Sequence, residues 1–262
     1  MNIAEEFEER IREDKIPQFL YRYRSVNNEF IEDELVNNYL YFSDWTEFND
    51  PFEGKISLNR SYSIEELFRL FSSLNKQRGS VLSKAQLKQV AEKIHRDKTC
   101  FISVLHSLLV ALHKKIGVCC FTKKNDNLLM WAHYADSHKG ICLEFEPRQD
   151  LQIFSLILQM QYRKDFLPFN FLDDSKSISY LNLISQKSEE WKYEEEYRVY
   201  KYDFLDRKYG YNPRALKSVI FGCKTSEETI SKIKKLFSNN PFVSYKKCEQ
   251  DNNSYKLNII DC

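Results

Sequence analysis

The sequence predicts a mixed α+β fold, on three observations. Short runs rich in Tyr, Phe, Ile and Val alternate with turn residues, which is the pattern of strands. Several of these runs follow one another directly, without the crossover helix that a parallel sheet needs. Between two strand-bearing regions, residues 63–114 lack alternation and carry helical spacing instead.

Taken in order, residues 3–14 predict an amphipathic helix. "FLYRYRS" (19–25) predicts a strand, and "EFIEDELVNN" a helix ended by its two asparagines. "YLYFSDW" is the next strand. "FNDPFEG" is a turn, because Asp50-Pro51 breaks regular structure and Gly54 closes it. The 63–114 block reads as two or three helices, including "SKAQLKQVAEKIHRD" and "FISVLHSLLVALHKK", inserted into or closing over a single domain of residues 1–262. "IGVCCFT" returns to strand. "KNDNLLMWAHYADSHKG" predicts a helix capped by Asn125 or Asp126 and stopped at Gly140, and "GICLEFEP" a strand after it. "FSLILQMQY" is a strand candidate whose apolar run equally suits a buried helix. "SISYLNLISQKSEEW" predicts a helix, and the following "EEYRVY" a strand. "ALKSVIFG" is a buried strand, "SEETISKIKKLFSN" a capped helix, and "FVSYKKCE" with "YKLNIID" a closing strand pair. The total is eight or nine strands.

Composition narrows the class. A chain of 262 residues that is 42% hydrophobic and 15% aromatic can bury a sizeable core. Nineteen Phe and sixteen Tyr against six Gly point to aromatic strands and helices rather than glycine-rich loops. A formal net charge of +1 argues against a protein dominated by phosphate-backbone binding, and the basic "KIKK" (232–235) suits the solvated face of a helix. The seven cysteines are odd in number, form no C-x-x-C pair and lie partly in apolar runs, which predicts buried free thiols. The acidic, amphipathic start is unlike a signal peptide, and no run reaches the length of a membrane span. A reducing cytoplasm is the expected setting.

Three stretches are candidates for chemistry. In "YRYRS", Arg22 and Arg24 fall on one side of a strand and Tyr21 and Tyr23 on the other. Adjacent guanidiniums repel unless they face anions, so the pair suits phosphate, or else it points to solvent from an edge strand. In "DNLLMWAHYADSHKG", Met130, His133 and Tyr134 share a helix side. His133 and His138 lie five apart, poor spacing for two ligands on one helix, and H-E-x-x-H is absent, so no metal is expected. In "YEEEYR", Glu194 and Glu196 are two apart and share a strand face. They either raise one another's pKa for acid–base work or form a charged edge paired to Lys or Arg.

Together these stretches resemble a bacterial family of unknown function marked by F-N-D-P-F-E, D-N-x-x-M-W-x-H-Y-A-D-x-H-K-G and a terminal E-x-E-x-R, over roughly residues 20–225. More distantly, the order of elements resembles the ADP-ribosyltransferase superfamily, whose fold is a split β-sandwich that grips NAD between its sheets. "YRY" is similar to the early Y-R-G pattern and places Arg22, with Tyr23, at the cofactor. "GVCCFT" followed by a helix and "GICLEF" is similar to the middle strand, with Phe121 and Thr122 at its turn. "EEYRVY" resembles the N-E-Y-x-V-Y of the poly-ADP-ribosylating branch, with Glu196 as the glutamate, and Glu194 completes an E-x-E like that of the arginine-modifying branch. The hydroxyl triplet of that branch is absent, and the helical block is long.

The resemblance implies an α+β, ADP-ribosyltransferase-like fold with a helical insertion. It implies an NAD-dependent transferase or glycohydrolase, with Glu196 and Glu194 in the chemistry, Phe121, Trp131 and Tyr134 stacked on the nicotinamide or closing its pocket, and His133 among the cofactor-binding residues. The acceptor would be protein, nucleic acid, a small molecule or water, and the role that of a toxin or phage-defence effector. Two other classes stay open on the residues: a nucleotide-binding or protein-interaction module without catalysis, and a metal-dependent hydrolase or nuclease using His133, Asp136, His138 and the glutamates.

Overall fold

The computed structural model describes residues 2–44, 47–53, 55, 62–77, 79, 82–97, 99, 102–103, 107, 110, 114–166, 184–202, 206–238 and 240–262. Helices are α1 (Ile3–Arg12), α2 (Ile31–Val36), α3 (Ile64–Gln77), α4 (Lys84–Arg96), α5 (Leu128–Tyr134), α6 (Leu151–Phe154) and α7 (Glu227–Leu236). Strands are β1 (Leu20–Arg24), β2 (Tyr39–Tyr41), β3 (Ile116–Thr122), β4 (Ile141–Phe145), β5 (Ile157–Gln159), β6 (Gln161–Arg163), β7 (Gln186–Ser188), β8 (Glu196–Tyr202), β9 (Lys208–Gly210), β10 (Leu216–Phe221), β11 (Ser244–Gln250) and β12 (Leu257–Asp261). The expected mixed α+β class holds. The strands exceed the eight or nine expected because β6, β7 and β9 are three-residue segments, too short to show alternation.

Eight strands form one sheet in the order β12-β11-β10-β4-β1-β3-β8-β5. Its pairing is antiparallel except between β10 and β11. The sheet has a seam. β1 runs against β4 over its full length, Leu20–Arg24 opposite Phe145–Ile141, yet meets β3 at one pair, Tyr21 opposite Thr122. β3 continues instead against β8, Ile116–Thr122 opposite Tyr202–Glu196. The edge of β3 left open by the seam is partly taken by Ser43, which exchanges two backbone hydrogen bonds with Val118 at 2.8 and 3.0 Å.

Strand alternation sends the two faces to different cores. One face carries Leu20, Phe121, Leu143, Phe145, Tyr197 and Val199 into the main core, which α1, α2 and α7 cover with Phe7, Leu35 and Ile233. The other face carries Tyr23, Cys142 and Ile220 against Trp131 and Ala135. Helices α3 and α4 bury Leu67, Leu70, Ala91 and Ile94 in a cluster of their own. Capping sets where helices begin: Asn2 with Glu5 and Ser83 with Gln86 form capping boxes, and Ser226 accepts from Thr229 N.

Several expected boundaries shift. The helix expected to run on to Gly140 ends at Tyr134, and its cap is Asn127, not Asn125 or Asp126. Asp136, Ser137 and His138 then take positive φ values of 47°, 54° and 72°. This turn is wedged between strands. A Cβ on Gly140 would lie 2.3 Å from the Arg24 carbonyl oxygen, and one on Gly222 would lie 2.1 Å from that of His138. The helix expected over 177–191 is corrected in its described part, since Gln186–Ser188 is strand β7 and Glu189–Glu194 a 3-10 segment. "FSLILQMQY" splits into the end of α6, then β5 and β6. The third expected helix of the 63–114 block falls largely outside the described residues, as does Cys100. Cys119, Cys142 and Cys248 are buried free thiols as expected, whereas Cys262 is exposed. Among the described residues no helix is long and apolar enough to cross a membrane.

Candidate functional site

The seam between β1 and β3 opens into a cavity of about 430 Å³, within the range of small-ligand sites. Two charged clusters line it, one on each side of β3. On the β1 side, Arg22 and Arg24 share one carboxylate. Arg22 Nη1 donates to Glu34 Oε1 at 2.6 Å and Arg24 Nη2 to Glu34 Oε2 at 2.5 Å. Two guanidiniums against one carboxylate leave an excess positive charge. Burial and the adjacent Arg22 accordingly lower the pKa of Arg24. The buried Nε of Arg24 has no hydrogen-bond partner among the described residues.

On the β8 side, five charges form a chain. Glu53 and Glu196 both grip Arg198, whose Nη1 is 2.6 Å from Glu53 Oε1 and whose Nε is 2.7 Å from Glu196 Oε1. Lys187 bonds to Glu194 and, at 2.9 Å, to Glu196 Oε2. Tyr134 closes the chain by donating to Glu194 at 2.6 Å. Among the described residues three carboxylates face two cations, the opposite excess. Glu196 is 4% exposed and Arg198 1%. β8 is flanked by β3 and β5, so Glu196 is not on a sheet edge, but it is paired to Lys and Arg, as the charged-edge alternative expected.

The two glutamates titrate in opposite directions. Burial would raise Glu196, but Arg198 and Lys187 outweigh it and hold the carboxyl at about 2. For Glu194 burial dominates over Lys187 and, with Glu196 nearby, raises the pKa. Burial also opposes the charge of Lys187, but Glu196 and Glu194 raise its pKa on balance, so its ammonium is retained. One site thus holds a carboxylate fixed in its charged form beside one with a raised affinity for a proton.

The sequence brings some expected residues to this cavity and not others. Arg22, Tyr23, Phe121, Tyr134, Glu194 and Glu196 line it. Thr122 is buried in the row Tyr21–Thr122–Glu196 and accepts from Lys124 N, outside the lining. Trp131 is fully buried, edge-on to Tyr23 at 5.0 Å, with its indole N–H on the Asn125 carbonyl. His133 is exposed beside Tyr193, so it does not share the cavity side of α5 with Met130 and Tyr134. Glu194 and Glu196 do meet, though not as strand neighbours: Glu194 ends the 3-10 segment, and Glu195 at φ 43° turns the chain into β8. Among the described residues no group of three or more His, Cys, Asp or Glu is placed to hold a metal.

Sequence reasoning missed Lys187, Glu53 and Glu34. Glu53 stands in the F-N-D-P-F-E motif, which was a legible signal. Lys187 and Glu34 sit in unremarkable helical or polar contexts and carried none.

A family model of unknown function, DUF2971, matches residues 130–199. The match agrees with the expected resemblance to a family of unknown function over that interval. It runs from Met130 through α5 to Val199 in β8, and so includes Tyr134, Lys187, Glu194, Glu196 and Arg198 but not β1. No curated protein and no solved structure matches the chain.

Proposed function

We propose that the protein cleaves the nicotinamide–ribose bond of NAD, as an ADP-ribosyltransferase or NAD glycohydrolase, within an ADP-ribosyltransferase-like fold. The observation that carries this reading is the polarity of the cavity, with paired arginines on one side and a fixed, ionised Glu196 on the other. The nicotinamide half of NAD has matching polarity, a phosphate at one end and a cationic ring at the other. The seam between β1 and β3 supports the fold reading, since it divides one sheet into two parts around the cavity.

In this mechanism an oxocarbenium-like charge develops at the anomeric carbon as nicotinamide leaves. A carboxylate held by Arg198 is pre-positioned to bond the ribose 2′-hydroxyl more strongly as that charge grows, an effect of several kcal/mol in comparable glycosidic chemistry. Glu194, with its raised proton affinity, takes the proton of the acceptor hydroxyl or water. Arg22 and Arg24 bind the pyrophosphate. Tyr134 orients Glu194.

One observation favours a second reading, a nucleotide-binding module without catalysis. Both oxygens of Glu196 already accept from Arg198 or Lys187. Nicotinamide release from NAD by wild type and Glu196→Gln, with and without a chelator, separates the two. Release that survives chelation and is lost in the variant supports cleavage. NAD binding by calorimetry without release in either protein supports the module, and neither binding nor release refutes both.

A further inference from the structure

A second cavity, of about 240 Å³, lies on the far side of the Glu53–Lys187 wall and shares those two residues with the first. Its mouth carries two solvent-facing aromatic rings, Phe52 at 53% and Phe166 at 44% exposure, with centroids 6.2 Å apart. The two rings pack on each other while about half of each stays open to solvent. Phe52 is fixed by the turn after Asp50, whose carboxylate accepts from Phe52 N at 2.8 Å. Phe166 comes from the chain just after β6.

Three exposed cations line the same cavity. Lys55 lies 4.7 Å over the Phe52 ring. Arg163 donates to Gln161 at 3.0 Å, and Lys164 stands 3.8 Å from Glu189. All three are exposed, and Asp165 is the solvent-facing carboxylate beside them. The other acids of the lining are engaged inward: Asp50 in its turn and Glu53 on Arg198.

We propose that this second cavity binds single-stranded nucleic acid, with a base stacked at Phe52 and Phe166 and its backbone phosphates along Lys55, Arg163 and Lys164. Exposed aromatics interleaved with cations are the two elements that such recognition uses, since every base offers a π-face and every linkage a charge. The cations are spread over two chain segments, more than one phosphate requires. That spread favours a strand over a free mononucleotide. The inference does not depend on the chemistry of the first cavity.

The test is fluorescence anisotropy of a labelled mixed-sequence DNA oligonucleotide of about ten nucleotides, without NAD. Wild type is expected to bind with affinity that falls as salt rises. Phe166→Ala and Phe52→Ala, both at exposed positions that leave no core void, are each expected to weaken binding about tenfold. Lys164→Ala is expected to reduce the slope of log affinity against log salt by about 0.7. Absence of binding by wild type overturns the proposal. So does binding that both phenylalanine variants retain, or AMP competing at the affinity of the oligonucleotide. Nicotinamide release bears only on the first cavity, so the two readings fail separately.

Discussion

Arg198 reaches back along its own strand to Glu196, donating from Nε at 2.7 Å and from Nη2 at 3.2 Å, while the rest of its guanidinium grips Glu53. The side chain is 1% exposed, so this is a desolvated ion cluster rather than surface decoration. It ties β8 to the turn that follows Asp50-Pro51, and thereby fixes a wall common to both cavities.

Removing the guanidinium takes from the buried Glu53 carboxylate the cation it faces and leaves Glu196 with Lys187 alone. Arg198→Met is therefore expected to lower unfolding stability by about 3–5 kcal/mol. Chemical denaturation measures it. Adding Glu53→Gln to Arg198→Met is expected to restore part of the loss, because one orphaned charge then disappears. A loss under about 1 kcal/mol would mean that the cluster is solvated in solution.

Acid sensitivity follows from Glu196. Its pKa is held at about 2 against an ordinary 4.5, so the folded state favours its ionised form. That contribution is complete above about pH 4.5 and is lost as pH falls toward 2. Glu196→Gln is expected to flatten the fall in melting temperature across that window. Lys187→Met should act in the opposite sense. Without the ammonium, Glu194 repels Glu196 and binds its proton more tightly when folded, so the variant gains stability as pH falls and loses it as pH rises through that raised pKa. Melting curves from pH 8 to 3 distinguish the two signs.

How much of this was legible depended on the range of the interactions. Strands β1, β3, β4, β8 and β10 were readable because each runs five to seven residues with alternating or wholly apolar patterns. The link between Glu194 and Glu196 was readable from spacing, but for the wrong reason. The left-handed Glu195, not a shared strand face, brings them together. Lys187 was hidden because "LISQKSEEW" satisfies helical spacing, whereas pairing of β7 with β6 makes Gln186–Ser188 extended. Glu34 was hidden because its partners lie on another element, and a lone acid on an acidic helix carries no sign of them. Tertiary pairing decided each of these.

Asn127 joins local and long-range order. Its Oδ1 accepts from Leu129 N and Met130 N, and its Nδ2 donates to the Tyr193 carbonyl at 2.6 Å. Asn127→Ala removes the cap of α5 and its tie to the segment before Glu194. A loss of about 1–2 kcal/mol is expected for the cap alone. Asn127→Asp is expected to restore the cap but not the donor, so it recovers only part, as read by urea midpoints.

The seam at β1 predicts how anions bind. Glu34 neutralises only one of the two guanidiniums that share it, and Arg24 keeps an unbonded, buried Nε. A phosphate-bearing ligand in the cavity is expected to gain from this excess positive charge. Arg24→Gln keeps much of the shape but loses the charge, and is expected to weaken pyrophosphate binding about tenfold to a hundredfold. Glu34→Gln frees both guanidiniums and is expected to tighten it. Isothermal titration with inorganic pyrophosphate measures both variants against wild type. If Arg24→Gln and wild type bind equally, the paired arginines serve only to hold α2 against the sheet.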